Sequence, residues 1–162
     1  MPLPNPERAT RRFVQRVRRL ARSIQVPVIL ENILPLPFYG YDFEVQAERI
    51  TEVLEGAECG FVLGTGHARV SAAVLGVDVY GYLSGLPLDR VVQVHVSGPR
   101  MRDGRLVDAH EALQETDFAL LDFVLTRAHP QVVTLEYIRE RDALQEQLFR
   151  LRDVLNSHNG LS

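Results

Sequence analysis

Lysine and tryptophan are absent from these 162 residues, cysteine occurs once and methionine twice. Every basic side chain is therefore an arginine, a usage we assign to coding bias and not to function. Cys59 has no partner for an intrachain disulfide, which fits a reducing compartment, and its place at the head of an apolar run reads as a small buried filler. No apolar run approaches the roughly 20 residues that cross a bilayer, and the opening MPLPNPERATRR lacks the apolar centre of a signal peptide. These absences predict a cytoplasmic protein with no membrane role. A net charge of -3 gives no general attraction for nucleic acid. The arginines that cluster between Arg8 and Arg22 alternate with Phe13, Val14, Val17 and Leu20 at helical spacing, so they read as the solvated face of an amphipathic helix.

What is present suffices for one packed domain spanning 1–162, with a loose polar tail from about 157: hydrophobic residues make up 46% of the chain. Four segments are short, apolar and rich in β-branched residues, namely VPVILEN (26–32), CGFVLGTGH (59–67), RVVQVHVSG (90–98) and QVVTLEYI (131–138). Each reads as a buried strand. Helical segments lie between and after them: 43–56, closed by a glycine in a left-handed cap, 117–129, and 139–156 with leucines at helical spacing. ARVSAAVLGVDVYGYLSGLP adds a short helix and a looser connection. Helix first, then strand and helix in alternation, predicts an α/β fold with a parallel sheet.

The polar residues of these units are not scattered. Glu31 and Asn32 close the first strand, His67 follows the second, His95 lies near the end of the third and Glu136 lies in the latter half of the fourth. The carboxyl ends of parallel strands share one rim, where such folds place their chemistry. Asp108 and His110 stand two apart, so in an extended segment they point the same way, although a polar turn or a helix start would serve the same letters. Carboxylates and imidazoles on one rim make good ligands for zinc, iron or manganese, and seven candidates exceed the needs of a single ion. His129 and His158 read as solvent-facing, Tyr137 as a packed aromatic, and Arg100, Arg102 and Arg105 near the mouth equally well as an anion-attracting group or as a solvated basic loop.

The strand ending in Glu31-Asn32, the run His95-Val-Ser-Gly98 leading to Asp108-Ala-His110, and the last strand with Thr134-Leu-Glu136 together resemble the C-terminal half of the multinuclear non-haem iron-dependent oxidative enzymes. That family includes the methanobactin-biosynthesis oxidase and belongs with the xylose-isomerase-like TIM barrels. The resemblance implies a partial, half TIM barrel equivalent to strands five to eight, preceded by a helix. It also implies two or three iron ions, or another divalent metal, used with dioxygen to oxidise a peptide that a partner protein holds. By position, Glu31 would bridge metals, His95 and Glu136 would ligate, and Asp108 and His110 would serve a further iron. His67 falls where the family has Asn, and where related barrels have His, three residues after an aspartate that is Gly64 here.

Four strand–helix units cannot close a barrel, so the expectation is a homo-oligomer or a complementary half-barrel chain. Two further functions stand beside the iron-dependent oxidoreductase. One is a degenerate, non-catalytic binding or assembly subunit. The other is a sugar isomerase or epimerase, because Gly64-Thr-Gly-His67 resembles the Asp-x-Gly-His of those barrels.

Overall fold

The computed structural model describes residues 5–35 and 42–158. The chain opens with helix α1 (Pro6–Ser23), which Asn5 caps by accepting a hydrogen bond from the Arg8 amide at 3.0 Å, with Pro6 preset for the first turn. Strand β1 (Ile29–Glu31) follows. A turn of 3-10 helix (Asp42–Val45) then leads into α2 (Ala47–Ala57). The left-handed cap that ends α2 is Glu58, at φ 57°, and not Gly56. Gly56 instead lets α1 approach α2, since a Cβ there would lie 3.2 Å from Val14. Val17 is buried on the same side of α1, and the arginines take the outer face, as their spacing predicted.

Strand β2 (Gly60–Gly64) runs without a loop into α3 (Thr65–Leu75), followed by α4 (Val79–Ser84). Asp78 caps α4 through the Gly81 amide at 2.7 Å. Strand β3 (Val91–Val96) leads into a hairpin of β4 (Gly98–Arg102) and β5 (Arg105–Glu111), then come α5 (Glu115–Leu125), β6 (Val132–Leu135) and α6 (Arg141–His158). At the head of α5, Gln114 and Asp117 bond each other's backbone amides in a capping box.

β1, β2, β3 and β6 form one parallel sheet in that order. The helices lie on its outer side, where Phe61, Leu63, Val94 and Val96 are fully buried against Leu54, Leu83, Leu121 and Val124. This is half of a TIM barrel: four parallel strands in an arc, helices outside, and the face that would line the barrel turned inward. The register Gly64, His95, Thr134 and the register Val62, Gln93, Val132 place each set at one level of that inner face.

The structure corrects the sequence reading at several points. The strand read over 59–67 ends at Gly64, and Thr65–His67 already form the first turn of α3. Glu136 lies one residue beyond β6, its amide still bonded to the Val96 carbonyl at 2.9 Å. Of the alternatives left open for Asp108 and His110, the extended one holds: they sit on a strand of an antiparallel hairpin and not in a turn or helix start. His158 belongs to α6 and pairs with Asp122 at 2.8 Å, whereas His129 is exposed as expected. Cys59 and Tyr137 are buried. Of the tail expected from about 157, residues 157 and 158 are helical and 159–162 lie outside the described residues. Among the described residues no helix is long and apolar enough to cross a membrane.

Candidate metal centre

Strand ends bring the donors together. Glu31 ends β1, His95 is the fifth residue of β3 and Glu136 follows β6, so parallel pairing alone delivers them to one rim. His95 Nδ1 lies 3.2 Å from Glu31 Oε1 and 3.3 Å from Glu136 Oε1. Its Nε2 lies 2.8 Å from the Gln93 amide nitrogen, which also donates to Thr134 Oγ1 at 3.0 Å. Since an amide nitrogen only donates, Nε2 accepts in this arrangement and Nδ1 carries the proton toward the two carboxylates.

The first turn of α3 carries His67 inward. Its Nδ1 is 2.7 Å from the Asn32 carbonyl, which can only accept, so Nδ1 bears a hydrogen and donates. Nε2 is then the nitrogen left to face Asp108 Oδ2, at 3.3 Å. Burial works against protonating His67. The hydrogen bonds to Asp108 and to the Asn32 carbonyl, with the charge of Glu31 at 3.5 Å, outweigh it and raise its pKa.

β5 supplies the remaining donors. Asp108 and His110, two apart on the strand, turn to the same side and meet at 3.0 Å. The Asp108 side chain is 1% exposed, with Oδ1 accepting from Ser97 Oγ at 2.7 Å and Oδ2 facing both His67 and His110. Burial would raise its pKa, but the bonds from His67 and Ser97 and the nearby imidazoles lower it, so it holds its charge. Asp108, His110 and Glu136 each offer an atom within 4.8 Å of the others. Glu136 joins the two groups, since its Oε1 faces His95 and its Oε2 lies 3.7 Å from His110.

Six of the seven sequence candidates therefore converge. Asn32 does not join them as a donor. Its side chain is buried, accepting from the Gly64 amide at 2.8 Å and donating to the Gly64 carbonyl at 3.1 Å, which fastens the end of β1 to the start of α3. The departure at Gly64 has a steric consequence: a Cβ there would lie 2.9 Å from Glu31 Oε1 and 3.0 Å from His67 Nδ1, so these two side chains occupy the space of the family's aspartate. A Cβ at Gly66 would fall 1.9 Å from Ser97 Oγ, so glycine is required for α3 to start beside β3. The reading from sequence missed Ser97, Gln93 and Thr134. Gln93 and Thr134 carried a signal, as polar residues at alternate positions on the same strand faces as His95 and Glu136. The basic loop is tied down in part: Arg100 donates to the Pro99 and Ala112 carbonyls, and Arg102 pairs with Glu111 at 3.1 Å.

The family model described as RiPP precursor modification enzyme MbnB/TglH/ChrH matches residues 1–156. A UPF0276 protein of Anaeromyxobacter sp. (strain Fw109-5) is 33% identical over 109 residues, covering 67% of this chain and 38% of its own. One from Pseudomonas aeruginosa is 29% identical, covering 69% of this chain and 39% of its own. One from Bordetella pertussis is also 29% identical, with 84% and 49% covered. The chain thus spans less than half the length of these curated relatives.

Proposed function

The chain belongs to the MbnB/TglH/ChrH family of RiPP precursor modification enzymes, and from that premise we propose that its rim is one wall of an iron centre that oxidises a peptide with dioxygen. The observation that carries this reading is the placement of Glu136. Its two oxygens face His95 and His110, joining the Glu31, His67 and His95 group to the Asp108 and His110 group, as ligands for more than one ion require.

The donor set fits iron. Three carboxylates and three imidazoles are intermediate ligands that suit iron, manganese or zinc, and the near-complete burial of the Asp108 charge favours a cation beside it. Asp108, His110 and Glu136 would hold one ion, with Glu31, His67 and His95 toward a second. Bound iron supplies the electrons with which dioxygen is reduced. The chain's own residues would do the holding: the Asn32 carbonyl keeps a hydrogen on His67 Nδ1 and leaves Nε2 to ligate, Ser97 orients Asp108, and Gln93, with its amide turned so that the oxygen accepts from His95 Nε2, would leave His95 Nδ1 to ligate. A precursor peptide as substrate accords with the family description; its presentation by a partner protein is part of the proposal, and the open inner face leaves these donors accessible.

The test is metal content by inductively coupled plasma mass spectrometry after anaerobic loading with ferrous iron and desalting. We expect iron to be retained at about one or more per chain, and to be lost in Asp108→Asn and Glu136→Gln. Metal-free protein under these conditions sinks the reading. Gly64, with Glu31 and His67 closed over it, would then favour a non-catalytic binding subunit.

A further inference from the structure

We propose that Arg139 is a positioning residue of the metal centre: its guanidinium bonds the residues on either side of His110 and so sets the reach of the hairpin's donors toward Glu136. The role rests on the metal centre proposed above.

The three donors that lie within 4.8 Å of one another come from two separate segments. Asp108 and His110 stand on β5, and Glu136 follows β6. β4 and β5 form a sheet of their own, so among the described residues no backbone ladder ties Asp108 and His110 to the four-stranded sheet that leads to Glu136. Asp108 is held from elsewhere, by Ser97 and His67. His110 is less supported. Its side chain is half exposed, and its backbone sits at φ 47°, where a non-glycine residue stays only if its surroundings hold it.

Arg139 supplies that hold. It lies three residues after Glu136, on a segment fixed along its length: the Glu136 amide bonds the Val96 carbonyl at 2.9 Å, and Tyr137 is buried with its hydroxyl accepting from the Glu140 amide at 3.2 Å. From there Nη1 donates to Glu111 Oε1 at 2.7 Å and Nη2 to the Ala109 carbonyl at 3.0 Å. One planar fork thus grips the chain immediately before and after His110, from the segment that presents Glu136. A guanidinium can serve two fixed acceptors at once, whereas an ammonium is a point charge. Arg102 also bonds Glu111, at 3.1 Å, but from β4 within the same hairpin, so it cannot register β5 against Glu136.

Neither stability nor charge alone accounts for this arrangement. The Arg139 side chain is 48% exposed and that of Glu111 28%, and ion pairs that open contribute little to folding. A guanidinium beside a cation site opposes the cation by simple repulsion. Removing a bystander arginine would therefore tighten metal binding, whereas removing the residue that aligns the donors weakens it.

The sign of that change is the test. The full chain and its Arg139→Met, Arg139→Lys and Arg102→Met variants, each checked for folding by circular dichroism, are titrated with cobalt(II) against a chromophoric chelator, and the visible spectrum of the bound ion is recorded. We expect Arg139→Met to weaken cobalt binding about 10–100-fold, the range for residues that orient metal ligands, and to alter the spectrum. Arg139→Lys should remain weak, because it keeps the charge without the fork, and Arg102→Met should bind like the parent. Parent-like or tighter binding by Arg139→Met, full rescue by Arg139→Lys, or an equal loss in Arg102→Met overturns the role assigned to Arg139. Failure of the parent itself to bind cobalt overturns the metal centre, and this role with it.

Discussion

His110 holds its backbone at φ 47°, in the left-handed region that a non-glycine residue enters at a cost of about 1–2 kcal/mol. Its imidazole is half exposed and its partners are Asp108 and Glu136. Packing does not explain the residue; aiming Nε2 at the two carboxylates does. His110→Gly should therefore leave stability within about 1 kcal/mol of the parent, because relief of backbone strain offsets glycine's greater freedom in the unfolded chain. The same variant should lose bound metal. Urea denaturation of the metal-free proteins, beside chelator competition, separates the two effects; a loss of several kcal/mol would make His110 a structural residue. At this scale the sequence was informative wherever a donor stood at the end of an apolar strand, as Glu31, His95 and Glu136 do. It was uninformative about Asn32, because a side-chain amide can serve a ligand or a neighbouring backbone equally well, and only the approach of Gly64 decides between them.

The elements were legible to the extent that hydrophobic periodicity governs them. The four parallel strands and the long helices follow from apolar runs, but the hairpin of β4 and β5 does not, because its exposed arginines interrupt the pattern. Its signal was Asp103-Gly104, both at positive φ, a turn pair between segments with apolar Met101, Leu106 and Val107. The helix α4 is held differently, by a polar anchor: Tyr82 is buried and its hydroxyl donates to the Val45 carbonyl at 2.6 Å. Burial is the leading cause that pushes its phenol up to about 12, from an ordinary value near 10. The folded state thus keeps the proton that the unfolded state releases. The anchor's contribution is fully present below about pH 10 and is lost as pH rises through about 12. Ultraviolet difference titration should show a late phenolate transition that is absent in Tyr82→Phe. That variant should also cost about 1 kcal/mol at neutral pH, from the lost hydrogen bond. A Tyr82 that titrates with free tyrosine would contradict the buried anchor.

For the whole molecule, an open arc distributes stability unevenly. β2 and β3 have neighbours on both edges, and Leu63 and Val94 are fully buried between sheet and helices. Among the described residues β1 and β6 have one neighbour each, and Ile29 and Val132 are 40% and 50% exposed. Truncating a side chain costs both its lost burial and the cavity left behind, so the same change has different consequences in the two places. Leu63→Ala should cost about 2–5 kcal/mol, whereas Ile29→Ala, which opens no enclosed cavity, should cost under about 1 kcal/mol. Hydrogen exchange on the chain by itself should follow the same order. The amides of 61–64 and 93–96 should exchange only through global unfolding, and the outward-facing amides of β1 and β6 through local opening. Uniform protection across all four strands would mean that the edges are already covered in the isolated chain. Equal costs for the two truncations would mean that the inner face is packed like the outer one, and the half-barrel would then be a closed structure of another kind.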